Sequence, residues 1–187
     1  MTVEQDWTLG EHYPGDRITF PTLRHIVSGL TPDDGFALEF GVAEGTSLNI
    51  IAKHLPVVGF DSFDGLPEDW GPYPLGSRAC IPPEPPKNAR LVRGLYADTL
   101  PDFDFSSVDP IKLVHIDCDL YSSTVTVLEH VGPHLKPGCF IVFDEWCGPN
   151  VWYSDHEQRA WREYIDQHPM SWRVVGHDGE AWAICLT

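Results

Sequence analysis

Positive charge is scarce in this chain: 12 lysines and arginines stand against 28 aspartates and glutamates, a formal net charge of −16. Proteins that grip a phosphate backbone or an anionic membrane surface do so with Lys and Arg, so neither nucleic acid nor a membrane is an expected partner. Cysteine offers no framework either. Cys80, Cys118, Cys139, Cys147 and Cys185 are odd in number, scattered and without a Cys-x-x-Cys pair, which argues against a disulfide scaffold and a zinc knuckle. Cys118, Cys139 and Cys185 lie in or beside strand-like stretches and read as small core residues. No apolar run reaches membrane-spanning length, the first residues hold no apolar signal core, and no internal repeat is visible. A cytoplasmic location is expected. With 42% hydrophobic residues over 187 positions, the chain should form a single domain, residues 1–187, with a full core.

What the sequence does have is concentrated in Glu39-Phe-Gly-Val-Ala-Glu-Gly-Thr-Ser47, which follows an apolar strand-like stretch and opens a helix-like one. Gly41 lets the chain turn with no Cβ in the way, and Gly45 would let a ligand approach the backbone, where free amides at a helix start await it. A second strand ends at Asp61, 20 residues beyond Gly41, where a carboxylate can accept hydrogen bonds from two ribose hydroxyls. A dinucleotide site would carry Gly-x-Gly-x-x-Gly for its pyrophosphate. Here Glu39 and Glu44 flank glycines spaced Gly-x-x-x-Gly. Acids would repel a pyrophosphate but suit a ligand bearing an amino group and a sulfonium, which points to S-adenosylmethionine. The competing reading, a tight turn flanked by solvated acids, leaves the placement of Asp61 unexplained.

The rest of the chain reads as alternating elements. Ile18 to Leu30 predicts a short helix, stopped by Thr31-Pro-Asp-Asp-Gly35. Strand, helix and strand follow at Phe36 to Phe40, Thr46 to Leu55 and Val57 to Phe60. Residues 63–88, with Ile81-Pro-Pro-Glu-Pro-Pro86, cannot supply ladder donors and form a loop insertion. Strands are predicted at Arg90 to Arg93, Ile111 to Ile116 and Phe140 to Phe143, with helices at Tyr121 to Leu135 and Asp155 to His168. A hairpin, Trp172 to Val175 and Ala181 to Leu186, turns at Asp178-Gly179. The fold class is α/β, a mostly parallel sheet with helices on both faces and one antiparallel strand.

In such a sheet ligands gather outside the strands' carboxyl ends, where Glu39 to Gly45, Asp61, Gly94, Asp117, Asp119, Asp144 and Glu145 all fall. If the strands ending at Asp117 and Asp144 are neighbours, their carboxylates start about one strand spacing apart, ~4.8 Å. A hard divalent cation such as Mg²⁺, Ca²⁺ or Mn²⁺ could bridge them.

The blocks Glu39 to Ser47, Gly59-Phe-Asp-Ser-Phe-Asp-Gly-Leu-Pro67, Gly94-Leu-Tyr-Ala-Asp-Thr-Leu-Pro101, His115-Ile-Asp-Cys-Asp-Leu-Tyr-Ser-Ser-Thr124 and Phe143-Asp-Glu-Trp146 resemble, in order, the macrocin-type O-methyltransferases. These are class I S-adenosylmethionine-dependent enzymes known from macrolide sugar methylation. The resemblance runs from Phe36 to the end of the last helix. It implies a Rossmann-like seven-stranded sheet in which Gly41, Val42, Ala43, Glu44, Gly45 and Ser47 cradle the methionine part of the cofactor. Asp61 would take the ribose, Ser62 and Phe63 would flank the adenine, and the backbone at Gly94 and Leu95 would meet its edge. Asp117, Asp144 and Glu145 map to the family's Mg²⁺ ligands. The family's Asp-Asp is Asp144-Glu145 here, which bears on metal binding. Residues 1–35 supply only a short N-terminal cap segment, so the family's sugar substrate does not carry over.

The expected chemistry is methyl transfer to a hydroxyl of a small molecule, a sugar or secondary metabolite. Positioning supplies most of the acceleration, because the sulfonium methyl is already activated. A cation on vicinal oxygens would acidify the acceptor, and Asp119 or His156 could take its proton. Without metal, Asp117 or Asp119 would act as base, with a pKa raised among like charges. A metal-independent methyltransferase and a binding protein without turnover stay open. A homodimer is the expected assembly, its second subunit completing the pocket. His115, mid-strand, reads as a hydrogen-bonded core histidine. Trp7, Trp152, Trp161, Trp172 and Trp182 read as core, with Trp70 and Trp146 near the site.

Overall fold

The computed structural model describes residues 10–147 and 156–187, so Trp7, Trp152 and the predicted helix start at Asp155 lie outside the described residues. The sheet is built from strands β1 (Glu11–His12), β2 (Phe36–Phe40), β3 (Val57–Asp61), β4 (Ala89–Arg93), β5 (Ile111–Ile116), β6 (Phe140–Phe143), β7 (Trp172–His177) and β8 (Trp182–Leu186). Their spatial order is β1-β7-β8-β6-β5-β2-β3-β4. All neighbouring pairs are parallel except β6–β8 and β7–β8. The one antiparallel strand is thus β8, as the hairpin implied. The strand count is eight rather than seven among the described residues. The addition, β1, is two exposed residues paired to β7 at the sheet edge, too short to carry any periodicity.

Helices α1 (Pro21–Ser28) and α2 (Thr46–Ile51) cover one face, where Leu23, Ile26, Val27, Leu48 and Ile51 pack on Ala37, Val57, Leu113 and Val142. On the other face lie α3 (Tyr96–Thr99), α4 (Tyr121–Val131) and α5 (Glu157–Gln167). There Val127, Leu128, Val131, Trp161 and Tyr164 meet Leu38, Phe40, Ile116 and Phe143. The central strands β2 and β5 are therefore buried on both sides, which is why they read as near-continuous apolar runs. Burying a side chain such as Trp161, fully enclosed here, contributes about 3 kcal/mol.

The differences from the predicted elements have local causes. The helix expected over Ile18 to Leu30 is split into a 3-10 turn (Arg17–Thr19) and α1, because Phe20 takes a left-handed φ of 54° ahead of Pro21. The helix expected to reach Leu135 ends at Val131 and tightens into a 3-10 turn at Gly132–His134, since Pro133 lacks the amide that would continue the ladder. At the closing hairpin, Asp178 Oδ1 accepts the amides of Glu180 and Ala181 at 3.1 and 3.0 Å. Its Oδ2 accepts the Thr22 hydroxyl at 2.8 Å, tying α1 to the turn.

Chain order reverses between β2 and β5: from β2 the chain proceeds outward to β3 and β4, then returns to β5 and β6 on the other side. Crossover helices leave on opposite faces at that point, and a crevice opens above the strand ends.

Candidate active site

Four backbone bonds carry the parallel ladder one residue past its strands: Gly41 N–H to Phe60 O (3.0 Å), Asp117 N–H to Phe40 O (2.8 Å), Asp144 N–H to Ile116 O (2.9 Å) and Gly94 N–H to Asp61 O (3.0 Å). Gly94, Gly41, Asp117 and Asp144 are thereby set at strand ends along one edge of the sheet. A cavity of about 580 Å³ opens over them, in the size range of small-molecule sites. Its walls include Gly41, Ala43, Glu44, Asp61, Ser62, Gly94, Leu95, Asp117, Asp119, Asp144 and Glu145.

The other predicted site residues do not reach that wall. Val42 and Phe63 are 3% exposed and pack into the core under α1 and α2. Ser47 faces inward on α2, and Glu39 lies beneath the floor, fully buried. At Gly45 (φ 83°) an added Cβ would come within 2.9 Å of Pro83, so the Pro-rich loop, not a ligand, occupies that approach. At Gly41 (φ 94°) a Cβ would fall 1.8 Å from the Asp117 carbonyl oxygen. Glycine is needed there so that β2 and β5 can meet at the cavity floor.

Asp61 has a structural task besides the one expected of it. Its Oδ2 accepts the amides of Val42 (2.8 Å) and Ala43 (2.9 Å), and its Oδ1 accepts Phe63 N–H (2.8 Å). These bonds hold the glycine loop in place. A carboxylate has about four lone-pair sites, so little capacity remains for ribose hydroxyls.

Beneath the floor runs a buried polar chain across three adjacent strands. His115, paired in register with Glu39, has Nδ1 3.1 Å from Glu39 Oε1 and Nε2 3.9 Å from Asp144 Oδ1. The second contact is too long for a hydrogen bond but close for charge attraction. Burial works against protonation, yet the Asp144 and Glu39 carboxylates outweigh it and push the imidazole up to about 10. His115 is thus an internal counter-charge. The sequence reading of a hydrogen-bonded core histidine describes its bonding and misses its charge.

Acids crowd above it. Oxygens of Asp117, Asp119 and Glu145 lie within 4.8 Å of one another, and so do donor atoms of His115, Asp117 and Asp144. The expected ligand trio of Asp117, Asp144 and Glu145 is thus divided between two overlapping groups that share Asp117. Burial first, then the Asp144 charge, raises Asp117 well above the ordinary carboxylate range. Burial, then Asp117 and Glu157, does the same to Glu145. Such like-charged crowding fits a hard divalent cation, which would neutralise it with oxygen ligands.

Two contributors, Glu157 and Tyr96, escaped the sequence reading, while the Ile18 to Leu30 segment is expected from the sequence to pack beside the site or cover it. Glu157, fully buried at the first turn of α5, accepts Glu145 N–H at 2.9 Å; a helix entering from beyond the sheet edge carries no strand-end signal. Tyr96 lines the cavity from α3, and burial, the Cys118 thiol and the acids around it raise its phenol well above the ordinary value. Its place directly after the Gly94 turn was the available clue. Ile18 and Phe20 line the cavity from the N-terminal segment. Backbone strain also collects here: the described non-glycine residues with positive φ are Phe20, Ala43, Phe63, Arg78 and Asp119, and all but Phe63 line the cavity.

A mixed sheet with its order reversing over a glycine loop and an acid-rimmed cavity defines a nucleoside-cofactor class of α/β protein. The chain belongs to the methyltransferase domain family, whose model matches residues 38–146. It is 33% identical over 89 residues to mycinamicin III 3''-O-methyltransferase of Micromonospora griseorubida, a match spanning 48% of this chain and 32% of that enzyme. A tetracenomycin-glycoside 4'-O-methyltransferase of Streptomyces olivaceus is 35% identical over 57 residues, 30% of this chain and 21% of the relative. The matches therefore span about a third and a fifth of these relatives' lengths. Among solved structures, the calicheamicin methyltransferase CalS11 aligns over 91% of this chain and 78% of its own with a TM-score of 0.69 at 22% identity. The O-methyltransferase NovP aligns over 92% and 81% with 0.68 at 20%. These two share the fold. No helix among the described residues is long and apolar enough to cross a membrane.

Proposed function

We propose that the chain is an S-adenosylmethionine-dependent O-methyltransferase acting on a hydroxyl of a small molecule, a sugar or secondary metabolite. The observation that carries this reading is the meeting, in one cavity, of the glycine loop buttressed by Asp61 with the acids after β5 and β6. Membership of the methyltransferase domain family and the named activities of the curated relatives support it. The acidic composition, with its net charge of −16, favours a small acceptor over nucleic acid. We propose a homodimer as the working assembly.

In this reading Gly41, Ala43 and Glu44 hold the methionine end of the cofactor, with the Glu44 carboxylate facing its ammonium group. Ser62, Gly94 and Leu95 border the nucleoside. The acceptor lies over Asp117, Asp119 and Asp144, which orient its hydroxyl toward the methyl group. Asp119, held at a left-handed φ of 63°, accepts the hydroxyl proton. His156, whose ring meets Trp70 edge-on at 6.3 Å, is the alternative acceptor of that proton. Asp117, Asp144 and Glu145 would hold Mg²⁺, which when bound would lower the acceptor hydroxyl's pKa.

The test is transfer of isotope-labelled methyl from the cofactor to a panel of hydroxylated small molecules, with and without chelator. Labelled product that falls on chelation, and a response to Mg²⁺ that disappears in Asp144→Ala, are expected. Product formation unchanged in Asp144→Ala would remove the metal from the account, and cofactor binding without any labelled product would leave a binding protein.

A further inference from the structure

The loop over residues 63–88 brings a built cationic feature to the cavity. Trp70 and Tyr73 exchange backbone hydrogen bonds at 2.7 and 2.9 Å around Gly71-Pro72, and this tight turn stacks their rings with centroids 5.4 Å apart. Trp70 is 1% exposed and packs with Leu66 and Leu120, the latter adjacent in sequence to Asp119. Arg78 lines the same cavity, with its guanidinium carbon 4.8 Å from the centre of the Tyr73 ring.

Three observations set Arg78 apart. It is the sole Lys, Arg or His among the described residues lining the cavity. In an acid-rich chain where Arg93 pairs with Asp64 and Arg159 with Glu163, no described carboxylate lies within ion-pair distance of Arg78. Its backbone is held at φ 69°, in the region that favours glycine, two residues after a glycine at 83°. Glycine would relieve that strain and lose the guanidinium. The Tyr73 ring, stacked on buried Trp70, keeps the exposed guanidinium of Arg78 oriented at the rim of the cavity, which lowers the ordering cost of receiving an oxyanion. The stack is anchored beside Leu120 and Asp119, away from Gly45, which Pro83 covers. Trp70 thus carries the base of the stack toward the acceptor's side of the cavity, while the backbone flanking Arg78 is bonded to Leu66 and Phe63, just past Ser62.

We propose that Arg78, supported by Tyr73, is an oxyanion-binding subsite that selects acceptors carrying a phosphate or carboxylate group in addition to the hydroxyl to be methylated. This rests on the methyltransferase reading for the identity of the acceptor, while the oxyanion site itself can be tested independently. Bidentate guanidinium contacts suit both groups. The acidic floor takes the hydroxyl end of the molecule and repels the anionic end toward Arg78.

Calorimetric titration of the chain with inorganic pyrophosphate, and separately with acetate, in chelator and with or without S-adenosylhomocysteine, tests the subsite. Saturable uptake of at least one is expected, and the stronger of the two identifies phosphate or carboxylate as the group read. Arg78→Gln should weaken that uptake roughly 10- to 100-fold. Tyr73→Leu should weaken it less, and Arg78→Lys should retain part of it. S-adenosylhomocysteine affinity should stay within about twofold in Arg78→Gln. Equal oxyanion uptake by the parent chain and Arg78→Gln, or none by the parent, would overturn the proposal. So would a tenfold loss of S-adenosylhomocysteine affinity in Arg78→Gln, which would give the guanidinium to the cofactor's carboxylate. If the parent chain ignores S-adenosylhomocysteine yet takes up pyrophosphate through Arg78, the function proposed above fails and the subsite stands.

Discussion

Replacing His115 by Gln should change how stability depends on pH, and the size of the change follows from the buried chain Glu39–His115–Asp144. The imidazole is held at about 10 in the folded protein, against about 6.5 when unfolded. A group raised on folding stabilises fully below its unfolded value and loses that contribution as pH rises through its folded value. Between pH 6.5 and 10 the folded chain therefore holds one more proton than the unfolded one. Stability should fall by up to about 1.4 kcal/mol per pH unit from this residue, bounded near roughly 5 kcal/mol over the interval. The glutamine side chain in His115→Gln would keep a donor for Glu39 but supply no charge. Near pH 7 the variant should lose about 3–5 kcal/mol, the cost of leaving buried carboxylates without their partner. Urea unfolding in chelator, repeated from pH 6 to 10, reads both quantities. The parent chain should show a slope steeper by one proton than His115→Gln. Parallel slopes would mean that the native imidazole is neutral, and the counter-charge assignment would be wrong.

Three further outcomes can be checked alongside. Gly41→Ala places a Cβ 1.8 Å from the Asp117 carbonyl oxygen, so thermal unfolding should show a loss of about 3 kcal/mol or more, or no folded protein; a near-neutral result would mean that the floor is not closed as described. Asp61→Asn removes charge-assisted acceptance of Val42, Ala43 and Phe63 amides and should cost about 2–3 kcal/mol and weaken S-adenosylhomocysteine binding roughly tenfold; unchanged affinity would show that the loop holds its shape unaided. Burial and the acids near it raise Glu157 well above the ordinary range, so its stabilising contribution is complete below the unfolded value near 4.3 and is lost as pH rises above it. Glu157→Gln should therefore raise the melting temperature at pH 8 in chelator and change it little at pH 4, and the opposite ordering would refute the sign.

Most of the framework was legible in the residues because parallel strands buried on both faces announce themselves. Phe36–Phe40, Ile111–Ile116 and Phe140–Phe143 have the predicted bounds, each an apolar run closed by a glycine or an acid. The site edge followed from those bounds, since residues one past a strand end belong to the carboxyl side of the sheet. Partnership was not legible. Asp61 spends its oxygens on the amides of Val42 and Ala43, Pro83 covers Gly45, and Glu157 reaches Glu145 from a helix that enters beyond the sheet edge. Each depends on a long segment folding back, which no local pattern encodes. His115 shows the same limit: its burial was readable from its strand, but its charge depends on Glu39 and Asp144 arriving from two other strands.

The central claim is that the cavity over β2 and β5 holds an S-adenosyl amino-acid nucleoside, rather than a dinucleotide, through its glycine loop and acidic rim. Calorimetry with S-adenosylhomocysteine and, in parallel, with NAD measures this directly. Saturable binding of S-adenosylhomocysteine, weakened in Asp61→Asn, with no uptake of NAD, is the expected result. Tight binding of NAD and indifference to S-adenosylhomocysteine would contradict it.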